Sequence, residues 1–321
     1  MKTLHIFSDE EAKRTKILLA AKVASMMGRK LEEGDWSEVY CKAKGLPDDG
    51  WSNLHIDVNH NGLGVEFKML RIAQLRGRPI KSVCGTTLMH PAATRSIRID
   101  NVELDANEVM VDVLGQYATL IEERTRRVRE RSPDGTADMR FGWLIWEDDL
   151  REFLYFEEEM AKPNSDNFYA EWNLTAARGA RKPSKSLWIY EKGSNQKRYS
   201  VTTSAGIKIQ PYFDVPPPND PNLAYFRVQS EQISDDTIIL WVAAATAEML
   251  KARLGSIEKD VVSQAVLEAA KKDRDDDQFT IEDLHAAVPI QVSKQAFDIL
   301  LDHWEAVSDD HRIQLLLKAL D

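Results

Sequence analysis

The chain has 321 residues, 43% of them hydrophobic, which is ordinary for a folded protein of one large domain or two smaller ones. No apolar run is long enough to span a bilayer, and the first residues lack the apolar core of a signal peptide, so no membrane partner is expected and the default location is cytoplasmic. Two cysteines, Cys41 and Cys84, are too few and too far apart for a disulfide framework or a zinc site.

The net charge of −10 argues against a nucleic-acid partner until its distribution is read. Residues 218–321 hold 20 acidic and 10 basic side chains, which leaves 32 of each in residues 1–217. The acidic excess is confined to the last third. The rest of the chain is free to carry a local basic surface, and local field governs contact with a phosphate backbone.

Ser8 to Glu11 reads as a helix start, with Ser8 as N-cap and Glu11 closing a capping box. Ile17, Leu18, Ala21, Ala24 and Met27 supply its apolar stripe. A second short helix carries Trp36, Val39, Tyr40 and Ala43, and residues 45–50 form a loop by composition.

The next stretch, Leu54 to Leu70, carries the most information. Asn61-Gly62 favours a two-residue hairpin turn, because both positions need positive φ. Leu54, Ile56 and Val58 alternate with polar residues before the turn, and Val65, Phe67 and Met69 after it. With Asn61 and Gly62 as the loop, His60 faces Leu63 and Asp57 faces Glu66, while Lys68 shares the face of Glu66. Opposed carboxylates repel. A divalent cation would satisfy both, since Mg²⁺ binds through one or two carboxylates and completes its shell with water and phosphate. Lys68 would lie beside that cation, where a nucleophilic water is held. An ordinary exposed hairpin face carries a similar mix of charges.

Asp57, eight intervening residues, then Glu66-Phe67-Lys68 resembles the active-site pattern of the PD-(D/E)xK nucleases, which include most type II restriction endonucleases. Ile56 stands where the family's name has proline. The resemblance covers one motif in its strand–turn–strand setting. It implies an α/β fold with a mixed central sheet flanked by helices, Mg²⁺ as cofactor, double-stranded DNA as substrate, and a homodimer. It further implies that Asp57, Glu66 and the Phe67 carbonyl hold the metal and that Lys68 positions or deprotonates water. Such folds carry a helix before the first catalytic strand, and some add an acid from it. Glu33 and Glu38 are the candidates, and Glu38, at the edge of the apolar stripe, is the one taken as catalytic.

After the hairpin, Arg71, Arg76, Arg78 and Lys81 form a basic run without an acid. A short strand is expected at Ile80–Cys84 and another at Ser96–Asp100. Asn107 to Arg131 predicts a long helix, with Val111, Leu114, Tyr117, Ala118 and Ile121 as its stripe and five arginines from Arg124 onward. Phe141–Trp146 and Phe153–Phe156 read as strands, and Glu157–Glu159 as an exposed acidic run. Arg178, Arg181, Lys182, Lys185, Lys197 and Arg198, interleaved with Trp172, Trp188, Tyr190 and Tyr199, predict a basic hairpin able to enter a DNA groove. A solvated edge hairpin has the same pattern. Residues 207–213 alternate like one more strand.

Pro216 to Pro221 marks the expected boundary between a nuclease core, residues 1–217, and an acidic C-terminal helical domain, residues 218–321, for dimerisation or sensing. Helices are expected at Asp235–Leu254, Ile257–Lys272, Ile281–Ala287, Lys294–Val307 and Asp309–Leu320. The reading is a sequence-specific restriction endonuclease. The alternatives are a modification-dependent or phage-defence nuclease and a non-catalytic nucleic-acid-binding module.

Overall fold

The computed structural model describes residues 4, 6–25, 31–47, 56–73, 75, 77–91, 97–147, 149–176, 183–203, 208–269 and 287–304. In chain order its elements are α1 (Asp9–Ser25), α2 (Glu33–Lys44), β1 (Val58–His60), β2 (Leu63–Arg71), β3 (Thr87–Met89), α3 (Ala106–Glu130), β4 (Asp138–Trp146), β5 (Glu152–Glu159), β6 (Phe168–Thr175), β7 (Ser184–Glu191), β8 (Lys197–Thr202), β9 (Lys208–Asp214), β10 (Leu223–Arg227), β11 (Glu231–Ser234), β12 (Thr237–Ala243), α4 (Ala244–Leu254), α5 (Lys259–Ala269), β13 (Ala287–Ser293) and α6 (Lys294–Trp304). The chain is α/β, with mixed sheets flanked by helices.

The first sheet has the order β1-β2-β4-β5-β10. Its β2–β4 pair is parallel and the other pairs are antiparallel. Parallel neighbours need a long crossover, and α3 lies within the one that joins β2 to β4. The two faces of this sheet are covered by different elements. Trp36, Val39 and Tyr40 of α2, with Leu19 and Val23 of α1, pack against Val65, Phe67, Leu144 and Tyr155. On the other face, Val113, Tyr117, Ile121 and Val128 of α3 share a core with Leu187, Ile189, Val201 and Ile209 of the second sheet, whose order is β3-β9-β8-β7-β6. Trp143 of β4 stacks on Phe213 of β9 at 3.8 Å and 17°, joining the two sheets. A third sheet, β11-β12-β13, packs with α4, α5 and α6.

Local signals account for the helix ends. Ser8 and Glu11 exchange backbone N–H bonds at 2.7 and 3.3 Å, which is a capping box. Asp105 accepts the Asn107 N–H at 2.8 Å ahead of α3.

Several expectations need correction. In α1, Leu19, Ala20 and Val23 face the core and Ile17 is 41% exposed, so the buried stripe is rotated from the expected one. Ile80–Val83 is a 3₁₀ turn rather than a strand, and residues 97–100 form no strand. Glu157, expected to be exposed, is fully buried, because Tyr40 and Tyr155 donate to its Oε1 at 2.8 and 2.7 Å and Arg140 to its Oε2 at 2.8 Å. The helix expected at Asp235–Leu254 is a strand followed by a shorter helix. Its first half, rich in β-branched residues, is β12, and the Ala-rich second half begins α4.

The last third is not wholly helical. Past the proline-rich stretch, β10 pairs antiparallel with β5 and completes the first sheet, and β11, β12 and β13 follow. Helix α6 lies within the expected Lys294–Val307. Of the helix expected at Ile281–Ala287, Ala287 instead begins β13 and the rest lies outside the described residues, as does the helix expected at Asp309–Leu320.

Candidate functional site

The hairpin turn is set by two residues in the left-handed region, Asn61 at φ 46° and Gly62 at φ 82°. A side chain at Gly62 would meet Ser132 Oγ at 2.8 Å and the Thr136 carbonyl oxygen at 3.0 Å. The Gly62 carbonyl accepts the Asp138 N–H at 2.7 Å, which ties the turn to the start of β4. The register is Val58–Val65, Asn59–Gly64 and His60–Leu63.

The ladder stops one residue before Asp57. In an antiparallel pair, alternate residues exchange backbone bonds, so continued pairing would give the Phe67 N–H to the Ile56 carbonyl. The Asp57 carboxylate takes it instead, with Oδ2 2.6 Å from the nitrogen. The chain bends at Asp57, so Ile56 joins the α3-side core while Val58 joins the α2-side core. Ile56 and Val58 therefore do not share a face as the sequence alternation predicts. Farther along the same edge of β2, His90 Nε2 lies 3.0 Å from the Met69 carbonyl oxygen.

Glu66 points to the α3 side and is 7% exposed. Two cations meet on its Oε1, Lys68 at 2.7 Å and Arg124 of α3 at 3.1 Å. Asp57 is close enough to feel this group. Burial, then the charge of Glu66, pushes its carboxyl up to about 7, against the pull of the Phe67 N–H and Lys68; Glu33 at the start of α2 pushes it further. Glu66, Lys68 and Arg124 thus form one cluster between β2 and α3, and Asp57, at the edge of β2, feels the charges of Glu66 and Lys68. Among the described residues no group of three or more His, Cys, Asp or Glu side chains is arranged to hold a metal. Two carboxylates and a backbone carbonyl are a smaller donor set.

Arg124 was not singled out from the other arginines of its helix. The signal was its spacing: Tyr117, Ile121 and Val128 are buried on α3, and Arg124 falls on the same stripe at helical intervals. An arginine on a buried stripe needs an anionic partner.

Glu38, taken as the extra acid, points elsewhere. It is held by Lys22 and Lys42, whose hydrogen bonds lower its pKa. The acid of α2 that acts on Asp57 is Glu33.

The proposed DNA contacts divide by environment. Arg71 and Arg78 are exposed near the end of β2, and Lys81 lies 4.0 Å over the Tyr225 ring. Lys185 donates to the Val102 carbonyl at 2.5 Å and sits over Trp172 at 4.5 Å. Lys197 lies 3.4 Å over Trp188, and burial lowers its pKa. Arg198 pairs with Asp214 at 2.7 Å and Glu191 at 3.4 Å. The expected basic hairpin is β7–β8, two interior strands of the second sheet. It is not a projecting ribbon, and three of its cations are engaged within the protein. Arg76, Arg178, Arg181 and Lys182 lie outside the described residues.

Among the described residues, no helix is long and apolar enough to cross a membrane. No family model, no curated protein and no solved structure matches the chain.

Proposed function

We propose that the chain is a Mg²⁺-dependent endodeoxyribonuclease of the PD-(D/E)xK type, cutting double-stranded DNA at specific sequences as restriction enzymes do. The observation that carries the reading is that Asp57, whose Oδ2 accepts the Phe67 N–H at 2.6 Å, lies close enough to Glu66 to feel its charge, with the Lys68 ammonium 2.7 Å from Glu66. The helix α2 ahead of an acid-bearing hairpin, within a mixed sheet covered on both faces, supports a restriction-endonuclease-like fold as part of the same proposal.

The donor set fits a hard cation. Among the described residues both contacts to Glu66 fall on Oε1, and Oε2 would be the oxygen to meet a ligand. Burial, and after it the charge of Glu66, raises the Asp57 carboxyl to about 7, and a bound cation would favour its ionised form. In an extended strand the N–H and C=O of one residue point to the same side, so the Phe67 carbonyl faces the edge where Asp57 sits. Asp57, Glu66 and that carbonyl would hold Mg²⁺, which when bound polarises the scissile phosphate and acidifies water. Lys68 positions the attacking water and donates to a phosphoryl oxygen. Arg124 adds a second positive charge where the transition state gathers negative charge. A two-fold homodimer would present one such cluster to each strand of a palindrome.

The competing reading, a non-catalytic nucleic-acid-binding module, draws on the same contacts, because Lys68 and Arg124 already neutralise Glu66 without a metal. Incubation of supercoiled plasmid with the protein in Mg²⁺ or EDTA separates the readings. Discrete bands that require Mg²⁺ support a sequence-specific enzyme, and a smear supports a nonspecific nuclease. Intact plasmid with a retained mobility shift supports the module.

A further inference from the structure

The second sheet ends on β6, the last strand in the order β3-β9-β8-β7-β6. Along an antiparallel strand the backbone groups of alternate residues point to opposite sides. The Asn167 carbonyl accepts the Lys192 N–H at 2.8 Å, so the odd-numbered residues of this strand turn their backbone groups to β7. The even-numbered ones turn theirs out of the sheet. The Ala170 N–H, one of these, donates to Asn107 Oδ1 of α3 at 2.9 Å. Past Ala170 this cover ends. Among the described residues nothing bonds the outward N–H and C=O of Trp172 or Leu174.

Proteins guard such edges with lysine, proline, a bulge or a covering segment. The stretch Trp172–Thr175 holds no lysine or proline, and its register with β7 is unbroken. It is apolar and open instead. Leu174 is 75% exposed. Leu104, 47% exposed, lies beside the edge, because its carbonyl accepts the Trp172 indole N–H at 3.0 Å. Val111, 53% exposed, stands one helical turn after Asn107 and on the same side of α3.

We propose that this edge pairs with the same edge of a second copy of the chain, as an antiparallel β6–β6 contact about a two-fold axis at Asn173. The open groups set the register. With Trp172 opposite Leu174 of the other copy, the outward N–H and C=O of both residues are all bonded, and each Leu174 side chain covers the other copy's Trp172. A register centred on Trp172 sets Leu174 against Ala170, whose N–H is already taken. One centred on Leu174 sets Trp172 against Ala176, past the end of β6. Charge agrees with the Asn173 axis: Glu171, the one charged residue of β6, falls opposite Thr175 and meets no like charge. A stable dimer buries about 1,200–2,000 Å², more than this short edge alone supplies, and Leu104 and Val111 extend the apolar contact. The inference gives a surface to the homodimer of the nuclease reading, and it rests on the edge geometry, not on the chemistry at Asp57. It places the two-fold contact in the second sheet rather than in residues 218–321.

The test joins sedimentation velocity of the full chain, over a concentration series, to cysteine cross-linking. Wild type should be a dimer. Leu174→Lys changes an exposed side chain, so it should keep the circular dichroism spectrum and raise the dimer dissociation constant by at least about tenfold. Asn173 meets its own copy in a non-hydrogen-bonded pair, with Cα atoms about 4.5 Å apart, within the span of a disulfide. Asn173→Cys should therefore give a covalent dimer under mild oxidation. Glu171→Cys, whose two copies are offset by about 13 Å along the strands, should not, and neither should wild type with its own Cys41 and Cys84. The proposal is overturned if wild type is monomeric throughout the series, if folded Leu174→Lys dimerises as wild type does, or if folded Asn173→Cys fails to cross-link. Plasmid cleavage by a monomer overturns the contact and leaves the nuclease standing. A β6 dimer without cleavage supports the contact and counts against the nuclease.

Discussion

Arg124 crosses from α3 to reach Glu66 at 3.1 Å, on the same carboxylate oxygen that Lys68 holds at 2.7 Å. This contact makes a single cluster of residues that lie two and 58 positions from Glu66 in the chain, and it divides the labour of the two cations. Lys68 lies on the hairpin beside the acids. Arg124 enters from the covering helix and answers to the charge of whatever lies between.

Replacing Arg124 should therefore separate binding from chemistry. Arg124→Gln removes a competitor for Glu66, so Mg²⁺ affinity should rise several-fold while single-turnover cleavage falls by roughly 10²-fold, the scale seen when one charge-stabilising donor is lost. Metal titration and quench-flow on the same preparation read both. Equal losses in both would make Arg124 a structural prop.

Asp57 gives a pH-dependent stability of defined sign. Its carboxyl is held up at about 7, against 3.8 for the free side chain. Between those values the folded state keeps a proton that the unfolded chain releases, so the contribution of Asp57 to stability falls as pH rises through the window and levels off above it. Asparagine keeps an acceptor for the Phe67 N–H and removes the charge. Asp57→Asn should be more stable than wild type at pH 8 by on the order of a few kcal/mol, and the gap should narrow towards pH 4. Urea unfolding at both ends of the window measures it; a variant less stable at pH 8 would remove the buried acid pair from the account.

Proton and metal compete for the same carboxylate. Apparent Mg²⁺ affinity should rise by about tenfold per pH unit as Asp57 ionises, then flatten above the region of its pKa near 7. Titration calorimetry across pH 5.5 to 8.5 would show the bend. A flat profile would mean that Asp57 is not a ligand.

Glu157 carries a purely structural prediction. It is fully buried and held by Tyr40, Tyr155 and Arg140. Arg140→Met strands its charge, and breaking a buried pair from one side costs about 3–5 kcal/mol. Thermal unfolding should show a large drop, and the double variant Arg140→Met, Glu157→Gln should recover part of it.

Local chemistry made the hairpin legible. Asn61-Gly62 dictates the turn and the turn dictates the register as far as Val58–Val65; the bend at Asp57, whose carboxylate takes the Phe67 N–H, was not legible. What lay beyond reach depended on tertiary partners. The basic character of β7–β8 reads as a free DNA-binding ribbon only until Asp214, 16 residues from Arg198, is found beside it on β9. The edge of the apolar stripe favours Glu38 over Glu33, and only the packing of α2 against α1 shows that Lys22 holds Glu38. Thr237 to Leu250 is largely apolar, interrupted only by Thr246 and Glu248, and periodicity does not separate a buried strand from a buried helix. Its β-branched first half held the information. The spacing of Tyr117, Ile121, Arg124 and Val128 was also visible, since a cation on an apolar stripe points to a buried acid.

The central claim is that Asp57 and Glu66, with Lys68 beside them, hold a divalent cation for phosphodiester hydrolysis. It is tested most directly by single-turnover cleavage of duplex DNA at saturating Mg²⁺, comparing wild type with Asp57→Ala and Lys68→Ala, each with its fold checked by circular dichroism. The account predicts cutting by the wild type and a loss of at least about 10³-fold in each variant, in keeping with the removal of a metal ligand or a positioned charge. Cleavage by either folded variant at the wild-type rate would contradict it.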